Sequence, residues 1–437
     1  MDEDDNRLAL RPPFALPFYY GWFIIGLSFL AYLAASAVRS APSVLIHPLE
    51  REFGWGRTAI SSAASLNLLT YGLMAPVGGW LLDRYGARRV VIGCLFTIAV
   101  GVAGTVFVSE LWHFILLWGI VLGIATGVTP ALSASVASRW FIARRGLALG
   151  ILTNANATGQ VIFLPILMAL IVSHGWRPAM LLIVGTALLL LPAIWLWLRD
   201  YPAELGLEPY TDSKTTLDQR NQARAAPRAF SFAAFGDAIK TPAFWLLSGS
   251  FFVCGMTSNG LVGTHMIPHA IERGIAEVTA ATAVGIMGVA SFIGTMFAGW
   301  LCDRIDARKV LSAAYLFRGL SLFVLPYVTD ASSLFVFAVL YGFDWFATGP
   351  STVALIAKHF GQDRVGVLFG LVFVSHQIGS AIAALGAGWI YSHFGEYYYA
   401  FLTGAVMGLL AAGMAMMIRR DRDRTPAAPV VAEAARA

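Results

Sequence analysis

Three ionisable residues lie inside long apolar stretches of the sequence, where a charged side chain is costly. They are Arg39, Arg318 and Asp344. A guanidinium can hold a carboxylate through two parallel hydrogen bonds, and a carboxyl group in apolar surroundings can take up and release a proton. The three residues therefore indicate anion binding and proton exchange inside an apolar environment.

Arg39 shares one helical face with Tyr32 and Ser36, which precede it at helical spacing. This face predicts a substrate site in which Arg39 holds a carboxylate. The alternative is that the long side chain of Arg39 extends to lipid headgroups at the outer surface.

Arg318 and Asp344 belong to successive apolar segments and lie at similar depth when residues are counted from opposite ends. We therefore expect them to pair. One interpretation is a pair that only locks two helices together. In the other, Asp344 exchanges a proton and couples protons to transport.

Amide side chains are concentrated in the stretch LTNANATGQ, residues 152–160. Asn156 in this stretch and His376 are separated by 220 residues, as are several glycines, so we expect both to face one central cavity. Asn259 is predicted to join them. Such amides can instead bind neighbouring helices to each other. His265 and His269, one helical turn apart, are interpreted as gate or interface residues rather than as metal ligands.

The elements that position these residues must be membrane helices. The chain is 58% hydrophobic and 13% charged, whereas roughly a quarter of the residues of a soluble domain are charged. Twelve segments are long enough to cross a bilayer, which takes about 20 residues. The predicted segments are 18–42, 58–82, 89–108, 111–137, 147–172, 177–198, 242–265, 278–301, 309–327, 332–357, 366–391 and 397–418.

The distribution of charge divides the chain into two halves and orients it. We predict a tail at 1–17, a six-helix bundle at 18–198, a linker at 199–241, a second bundle at 242–418 and a tail at 419–437. With the N-terminus inside, 24 of the 30 Lys and Arg residues fall on the cytoplasmic side, as the positive-inside rule requires. The tails and the linker are therefore predicted to be cytoplasmic, in a bacterial-type inner membrane.

One charged loop occurs twice. GGWLLDRYGARR at 78–89 is followed 220 residues later by AGWLCDRIDARK at 298–309. The repeat predicts two pseudosymmetric bundles, with a substrate site near the midplane between them.

The first loop resembles the signature of the major facilitator superfamily at every position. The matching residues are Gly79, Asp83, Arg84, Gly86, Arg88 and Arg89, and the second copy contains Asp303 and Arg304. The resemblance implies an all-α fold of twelve transmembrane helices in two six-helix bundles, working by alternating access. The second loop departs from the pattern where Asp306 replaces the glycine, which predicts a weaker or differently shaped turn.

The same resemblance implies a conformational latch. Asp83 lies at the C-terminal end of a helix, where the helix dipole disfavours a carboxylate. Its implied partners are Arg139 and the N-terminus of helix 11 near Val365, joined when the cytoplasmic side is closed. The alternative is a plain positively charged turn.

Two further stretches, FYYGWFIIGLSF at 18–29 and THMIPHAIERGI at 264–275, resemble the monocarboxylate and oxalate:formate branch of that superfamily. The branch implies a small organic anion as substrate and a basic residue on helix 1, where Arg39 stands. Its further basic residue on helix 8 or 11 is missing, since helix 8 offers only Ser291 and Thr295 and helix 11 offers His376 and Gln377. This absence argues against a dianion such as oxalate.

We therefore predict a proton-coupled secondary transporter of a small organic anion such as a monocarboxylate. The alternative is a proton-driven exporter or importer of a larger aromatic or amphipathic compound. Nucleophile-elbow, zinc-protease and nucleotide-binding motifs are absent from the sequence, which argues against an enzyme and against ATP-driven transport. We expect no cofactor, metal or nucleic-acid partner, contact with lipid, and a monomer.

Overall fold

The computed structural model describes residues 17–211, 236–361 and 364–418, which are almost entirely helical. The predicted tail 419–437, residues 1–16 of the predicted N-terminal tail and residues 212–235 of the predicted linker lie outside the described residues.

The twelve predicted spans are confirmed as helices, numbered here α1 to α12. Their bounds are Tyr20–Phe53, Arg57–Tyr85, Ala87–Thr105, Leu111–Trp140, Arg145–His174, Trp176–Trp197, Pro242–Glu272, Glu277–Cys302, Ala307–Tyr327, Ala331–Phe360, Val365–Phe394 and Tyr398–Met417.

Eleven of these helices are both long and apolar enough to cross a membrane, and α2 differs only in being less apolar. Its 29 residues include Ser61, Ser65, Asn67 and Thr70, and at about 1.5 Å per residue it is long enough to span. These polar residues face neighbouring helices, because α2 lies in the interior between the two halves.

The first span is longer than predicted. It passes through Ala41 in helical conformation and restarts at Pro42, which takes the first position of a second helical piece that ends at Phe53. Proline is well tolerated there because that position needs no N–H partner. Helix α7 likewise continues to Glu272 through a π-helical turn at Met256–Val262.

Helices α4 and α10 are interrupted at equivalent places in the two halves. Helix α4 breaks between Thr126 and Thr129, and α10 breaks between Asp344 and Thr348. Each break leaves backbone carbonyls without the usual intrahelical donors. The surrounding helices must therefore supply donors or close packing at these points.

The halves meet through α2 against α11, α5 against α8, and the ends of α1 and α7. The basic face is defined here as the end of the bundle that holds the loops at 83–89 and 303–309, and the far face is the opposite end. Towards the far face, Thr58 contacts Gly388, Ser65 donates to the carbonyl of Ala381, and Gly72 packs on Gln377.

The same stripe of α2 separates from α11 towards the basic face. Gly79 lies one heptad after Gly72, yet a Cβ on Gly79 would meet no described atom within 4 Å. The same holds for Gly366 and Gly370 on α11. The interface between the halves is therefore closed at the far face and open towards the basic face.

The two repeated loops differ in shape, as predicted for the second copy. Gly86 has a φ of 84°, and Asp200 occupies the space where a Cβ would stand and accepts a hydrogen bond from the Arg88 N–H at 2.8 Å. Asp306 has a φ of −58° and itself accepts from the Arg308 N–H at 3.1 Å. In the second loop, the carboxylate that accepts this backbone hydrogen bond belongs to Asp306 of the loop itself. In the first loop it belongs to Asp200, which follows α6.

Candidate functional site

A cavity of about 30 Å³ lies between the halves and is lined by α1, α2 and α5 from one half and by α7 and α10 from the other. Its polar lining includes one cationic residue, amides and hydroxyls: Arg39, Asn67, Asn156, Gln160, Asn259, Thr264, Ser40 and Ser43. A cationic group among amides and hydroxyls can bind a small anion.

Arg39 points into this cavity, towards neutral groups. Its Nη1 donates to the Tyr71 hydroxyl at 3.2 Å and to the Asn156 Oδ1 at 3.4 Å, and its guanidinium carbon lies 4.1 Å from the centre of the Tyr71 ring. Its Nε–H is buried and finds no acceptor in the described part of the chain. In this conformation the contacts of Arg39 are with residues of α2 and α5 at the cavity, and its role in substrate binding stays a prediction.

Three of the six predicted substrate residues line the cavity: Arg39, Asn156 and Asn259. The Arg39 side chain on α1 can contact Asn156 on α5 because these two helices pack directly against each other. Asn259 lies in the π-helical turn of α7, and such turns often occur at functional sites.

The other three predicted substrate residues, Tyr32, Ser36 and His376, do not belong to the lining of this cavity, so their part in substrate binding stays a prediction. Ser36 donates to the backbone carbonyl of Asn156 at 2.9 Å, in the tight contact between α1 and α5. Tyr32 is buried beside Tyr71.

His376 is also buried; its ring contacts those of Phe251 and Phe373, and its Nδ1 lies 3.1 Å from the Gln377 Oε1. Like Tyr32 and Ser36, it supports the helices around the cavity. Sharing a helical face in the sequence did not establish which part of that face packs against a neighbouring helix.

Five hydroxyl or amide residues of the cavity lining were not predicted: Ser40, Ser43, Asn67, Gln160 and Thr264. Gln160 lies one turn after Asn156 and ends the amide-rich stretch, so its spacing was a usable signal. Asn67 also donates to the carbonyl of Trp118 at 2.7 Å, which ties α2 to α4. A single asparagine in a polar helix gave no comparable signal.

The predicted pairing of Arg318 with Asp344 is confirmed. The Nε of Arg318 donates to the Asp344 Oδ2 at 2.6 Å, and both side chains are almost completely buried. Nη1 lies 2.9 Å from the Cys254 sulfur, and Nη2 donates to the carbonyls of Asp344 and Trp345, both at 2.9 Å. Arg318 thus adds side-chain donors to two carbonyls at the break in α10, of which that of Asp344 also accepts from the Ala347 N–H at 3.0 Å.

The other carboxylate oxygen of Asp344, Oδ1, is buried without a hydrogen-bond partner among the described residues. The neighbouring Trp345 lines the cavity. This oxygen is therefore an open hydrogen-bonding position at the break in α10.

At the basic face, Asp83 accepts a hydrogen bond from Arg139 Nη2 at 2.9 Å, and Arg139 also donates to the carbonyl of Leu82. Both residues belong to the first half, and Asp83 is exposed. Arg84, Arg89, Asp303 and Arg304 are exposed as well. The contact between Asp83 and the N-terminus of α11 therefore stays a prediction for the conformation that is closed at this face.

A match to a protein-family model shows which family this chain belongs to. The model described as Major Facilitator Superfamily matches residues 28–292 and 250–437. The chain belongs to the major facilitator superfamily. It is an integral membrane protein of a family of transporters, and its relatives are not enzymes.

Relatives in this superfamily include monocarboxylate transporters. Human monocarboxylate transporter 11 is 26% identical over 393 residues, which cover 80% of each chain. Monocarboxylate transporter 12-B of Danio rerio is 26% identical over 396 residues, 86% of this chain and 82% of the relative. An uncharacterized MFS-type transporter of Bacillus subtilis, YcxA, is 26% identical over 379 residues, 84% of this chain and 87% of the relative.

Solved structures share the fold. A bacterial homolog of the human lysosomal transporter Spinster, in an inward-facing and occupied conformation, superposes with a TM-score of 0.71 at 15% sequence identity. The match covers 93% of this chain and 97% of that chain.

Proposed function

We propose that this superfamily member transports a small organic anion, such as a monocarboxylate, and that Arg39 binds the carboxylate group. The observation that carries the proposal is the setting of Arg39: a guanidinium on the cavity wall whose hydrogen-bond partners in the described ranges are neutral. An arginine placed in this way keeps its positive charge available to an anion entering between the halves.

The rest of the lining supports a small substrate with one negative charge. Arg39 is the one cationic residue that lines the described cavity, so the site offers one positive charge. The amides of Asn156, Gln160 and Asn259 can hydrogen-bond a hydroxyl or carbonyl group of the substrate. The names of the monocarboxylate transporters to which the chain is similar agree with this substrate class.

Proton coupling is proposed to occur at Asp344. Its unpartnered Oδ1 lies beside the cavity-lining Trp345, and its Oδ2 is held by Arg318. A proton can therefore bind at Oδ1 while Arg318 remains hydrogen-bonded to the carbonyls of the broken helix. Movement of α10 during alternation would change the exposure of this oxygen.

The basic face is proposed to be cytoplasmic, because most of the Lys and Arg residues of the sequence belong to loops and tails on that side. In that orientation the described conformation is open to the cytoplasm. Symport across a bacterial-type inner membrane is part of the same proposal.

The substrate class is tested by a thermal-shift screen of the purified protein against monocarboxylates, dicarboxylates, vitamins and aromatic drugs, since ligands that bind the fold raise its apparent stability. A monocarboxylate is expected to stabilise the protein, and Arg39→Gln is expected to abolish this stabilisation. Stabilisation by bulky aromatic compounds alone would favour the alternative substrate class.

Proton coupling is tested in proteoliposomes with Asp344→Asn. The variant should no longer accumulate substrate under an imposed pH gradient, whereas exchange of labelled for unlabelled substrate should persist, because exchange needs no net proton movement. Gel filtration first establishes that the variant is folded, and Glu396→Gln, at an exposed acid in the same half, serves as a control. Accumulation at the wild-type rate would make Asp344 a structural partner of Arg318.

A further inference from the structure

Tyr71 of α2 contacts the arginine that lines the cavity, and it is almost completely buried. The guanidinium carbon of Arg39 lies 4.1 Å from the centre of the Tyr71 ring, and Nη1 donates to the Tyr71 hydroxyl at 3.2 Å. The same nitrogen donates to the Asn156 Oδ1 at 3.4 Å. The ring therefore covers one face of the planar guanidinium, while two neutral oxygens hold Nη1.

These contacts leave one edge of the guanidinium for an anion. In an arginine, the Nε–H and one N–H of Nη2 point along the same edge, and a carboxylate can bind such an edge through two parallel hydrogen bonds. The Nε–H of Arg39 is buried and has no acceptor in the described part of the chain. The edge formed by Nε and Nη2, called here the Nε edge, therefore has an N–H that still needs an acceptor.

Tyr71 is held in turn by residues from both halves. Gly127, at the break in α4, packs so closely that a Cβ there would lie 2.8 Å from the Tyr71 carbonyl oxygen. The ring of Phe373 on α11 packs edge to face with the Tyr71 ring, with centroids 6.1 Å apart and planes at 63°. Phe373 also stacks on His376, with centroids 5.7 Å apart. An aromatic row of His376, Phe373 and Tyr71 thus leads from α11 to Arg39.

The aromatic row lies where the interface between the halves begins to open. Gly72, the residue after Tyr71, packs on Gln377. One turn before Phe373, a Cβ on Gly370 would meet no described atom within 4 Å. The contact between Tyr71 and Phe373 is therefore at the edge of the packed part of the interface, where a rocking movement of the halves changes it.

We propose that Tyr71 is a positioning residue for anion binding: it holds the guanidinium of Arg39 in the orientation that offers the Nε edge to a carboxylate, and Phe373 holds Tyr71. The inference rests on the proposed binding of a carboxylate by Arg39. A side chain already held in its binding geometry loses less rotamer freedom when the anion binds. The ring attracts the cation through its quadrupole, so it leaves the positive charge available, which a carboxylate partner would not.

The aromatic row makes anion affinity depend on both halves. Arg39 and Tyr71 belong to the first half, whereas Phe373 belongs to the second. Movement of α11 away from α2 removes the support that Phe373 gives to the Tyr71 ring. The site therefore binds an anion more tightly while this contact is made, and a bound anion favours the conformation that makes it.

The test is a double-mutant cycle on the Kd of three probes, measured by calorimetry with the full-length protein in detergent. The probes are acetate, propionate and butyrate, which carry one carboxylate and no other polar group. Tyr71→Leu removes both ring and hydroxyl and should weaken probe binding about tenfold, as expected for the loss of a partly buried cation–π contact. Tyr71→Phe keeps the ring and should bind within about threefold of wild type.

The cycle separates positioning from direct contact with the anion. In the Arg39→Gln background, Tyr71→Leu should cause no further loss, because the side chain that Tyr71 positions is absent. Phe373→Leu should weaken probe binding about threefold when Tyr71 is present, as expected for the loss of one aromatic pair. In the Tyr71→Leu background, Phe373→Leu should have no effect on the Kd.

Tyr20→Leu is the matched control. Tyr20 is a buried tyrosine at the other end of α1, where its hydroxyl donates to the Trp197 carbonyl at 2.9 Å. This variant should lower the melting temperature about as much as Tyr71→Leu does and leave the Kd of the probes unchanged. Should Tyr71→Leu fail to fold, Tyr71→Phe and Phe373→Leu in the same cycle with Arg39→Gln supply the test.

An equal loss from Tyr71→Leu with and without Arg39 would overturn the inference, since Tyr71 would then act on the anion or on the fold directly. So would wild-type affinity in Tyr71→Leu, an affinity loss of the same size in Tyr20→Leu, or a Phe373→Leu loss that persists without Tyr71. Wild-type protein that binds none of the probes, or an Arg39→Gln variant with wild-type affinity, would overturn the proposed function and this inference together.

Discussion

The two halves of the chain share a helical plan, but each places its intramembrane arginine in a different setting. In the second half, Arg318 is paired with Asp344 and donates to two backbone carbonyls. In the first half, Arg39 has Tyr71 and Asn156 as its partners in the described structure, and its Nε–H is unpaired.

This difference separates a structural arginine from a binding arginine. A buried arginine with its own carboxylate is neutralised and braces a broken helix. A buried arginine that has only neutral partners keeps its positive charge available to an anion. Burying this charge without a carboxylate costs desolvation free energy. Changing each arginine, or giving Arg39 a carboxylate partner, tests this difference, and a further pair of variants compares the repeated loops of the two halves.

The largest expected effect is on stability. Arg318→Met leaves Asp344 buried without its partner and should lower the free energy of unfolding by about 3–5 kcal/mol, whereas Arg39→Met should change it by less than about 1 kcal/mol. Thermal unfolding in detergent measures both. The double change Arg318→Met with Asp344→Leu should recover most of the loss. Equal losses for the two single variants would remove the distinction between the arginines.

The next effect is on anion affinity. Arg39→Gln should weaken carboxylate binding by about tenfold to a hundredfold, as expected for the loss of charge-assisted hydrogen bonds. Arg39→Lys should fall between this variant and wild type, because lysine keeps the charge but not the forked geometry. Binding of the anion found in the thermal-shift screen is measured by calorimetry. Unchanged affinity in Arg39→Gln would assign Arg39 a structural role.

A third change gives Arg39 the kind of partner that Arg318 has. Asn156→Asp places a carboxylate where the amide oxygen lies 3.4 Å from Nη1, and should lower anion affinity by about tenfold through competition for Arg39. Affinity should recover at acidic pH, when the new carboxyl group is protonated. Asn156→Ala, which adds no charge, should show no such pH-dependent recovery.

The smallest effect concerns the repeated loops. Asp83→Asn should leave stability unchanged and shift the balance between conformations by a few-fold, because an exposed pair contributes about 0.2–1 kcal/mol. Transport rate and the spacing of spin labels at the basic face measure this shift. The matched variant Asp303→Asn tests whether the second loop has the same role. Wild-type rates and spacing in Asp83→Asn would count against the latch.

Sequence patterns predicted the helices and some of the polar contacts. The pairing of Arg318 with Asp344 could be predicted because the two residues belong to successive antiparallel helices. The number of residues from the end of each helix gives the depth of each side chain in the membrane. Asn156 was found through the repeat, which relates positions in the two halves. His376 was selected by the same repeat, but its neighbours Phe251 and Phe373 enclose it.

The sequence by itself determined that the chain is a two-part helical membrane protein, because apolar length and the repeated loop depend only on local order along the chain. Tertiary structure alone decided which side chains meet. Arg57 joins residues 215 and 340 positions away, and Arg88 meets Asp200 from the end of α6. Such contacts depend on how helices rotate and pack against one another, which no local pattern specifies.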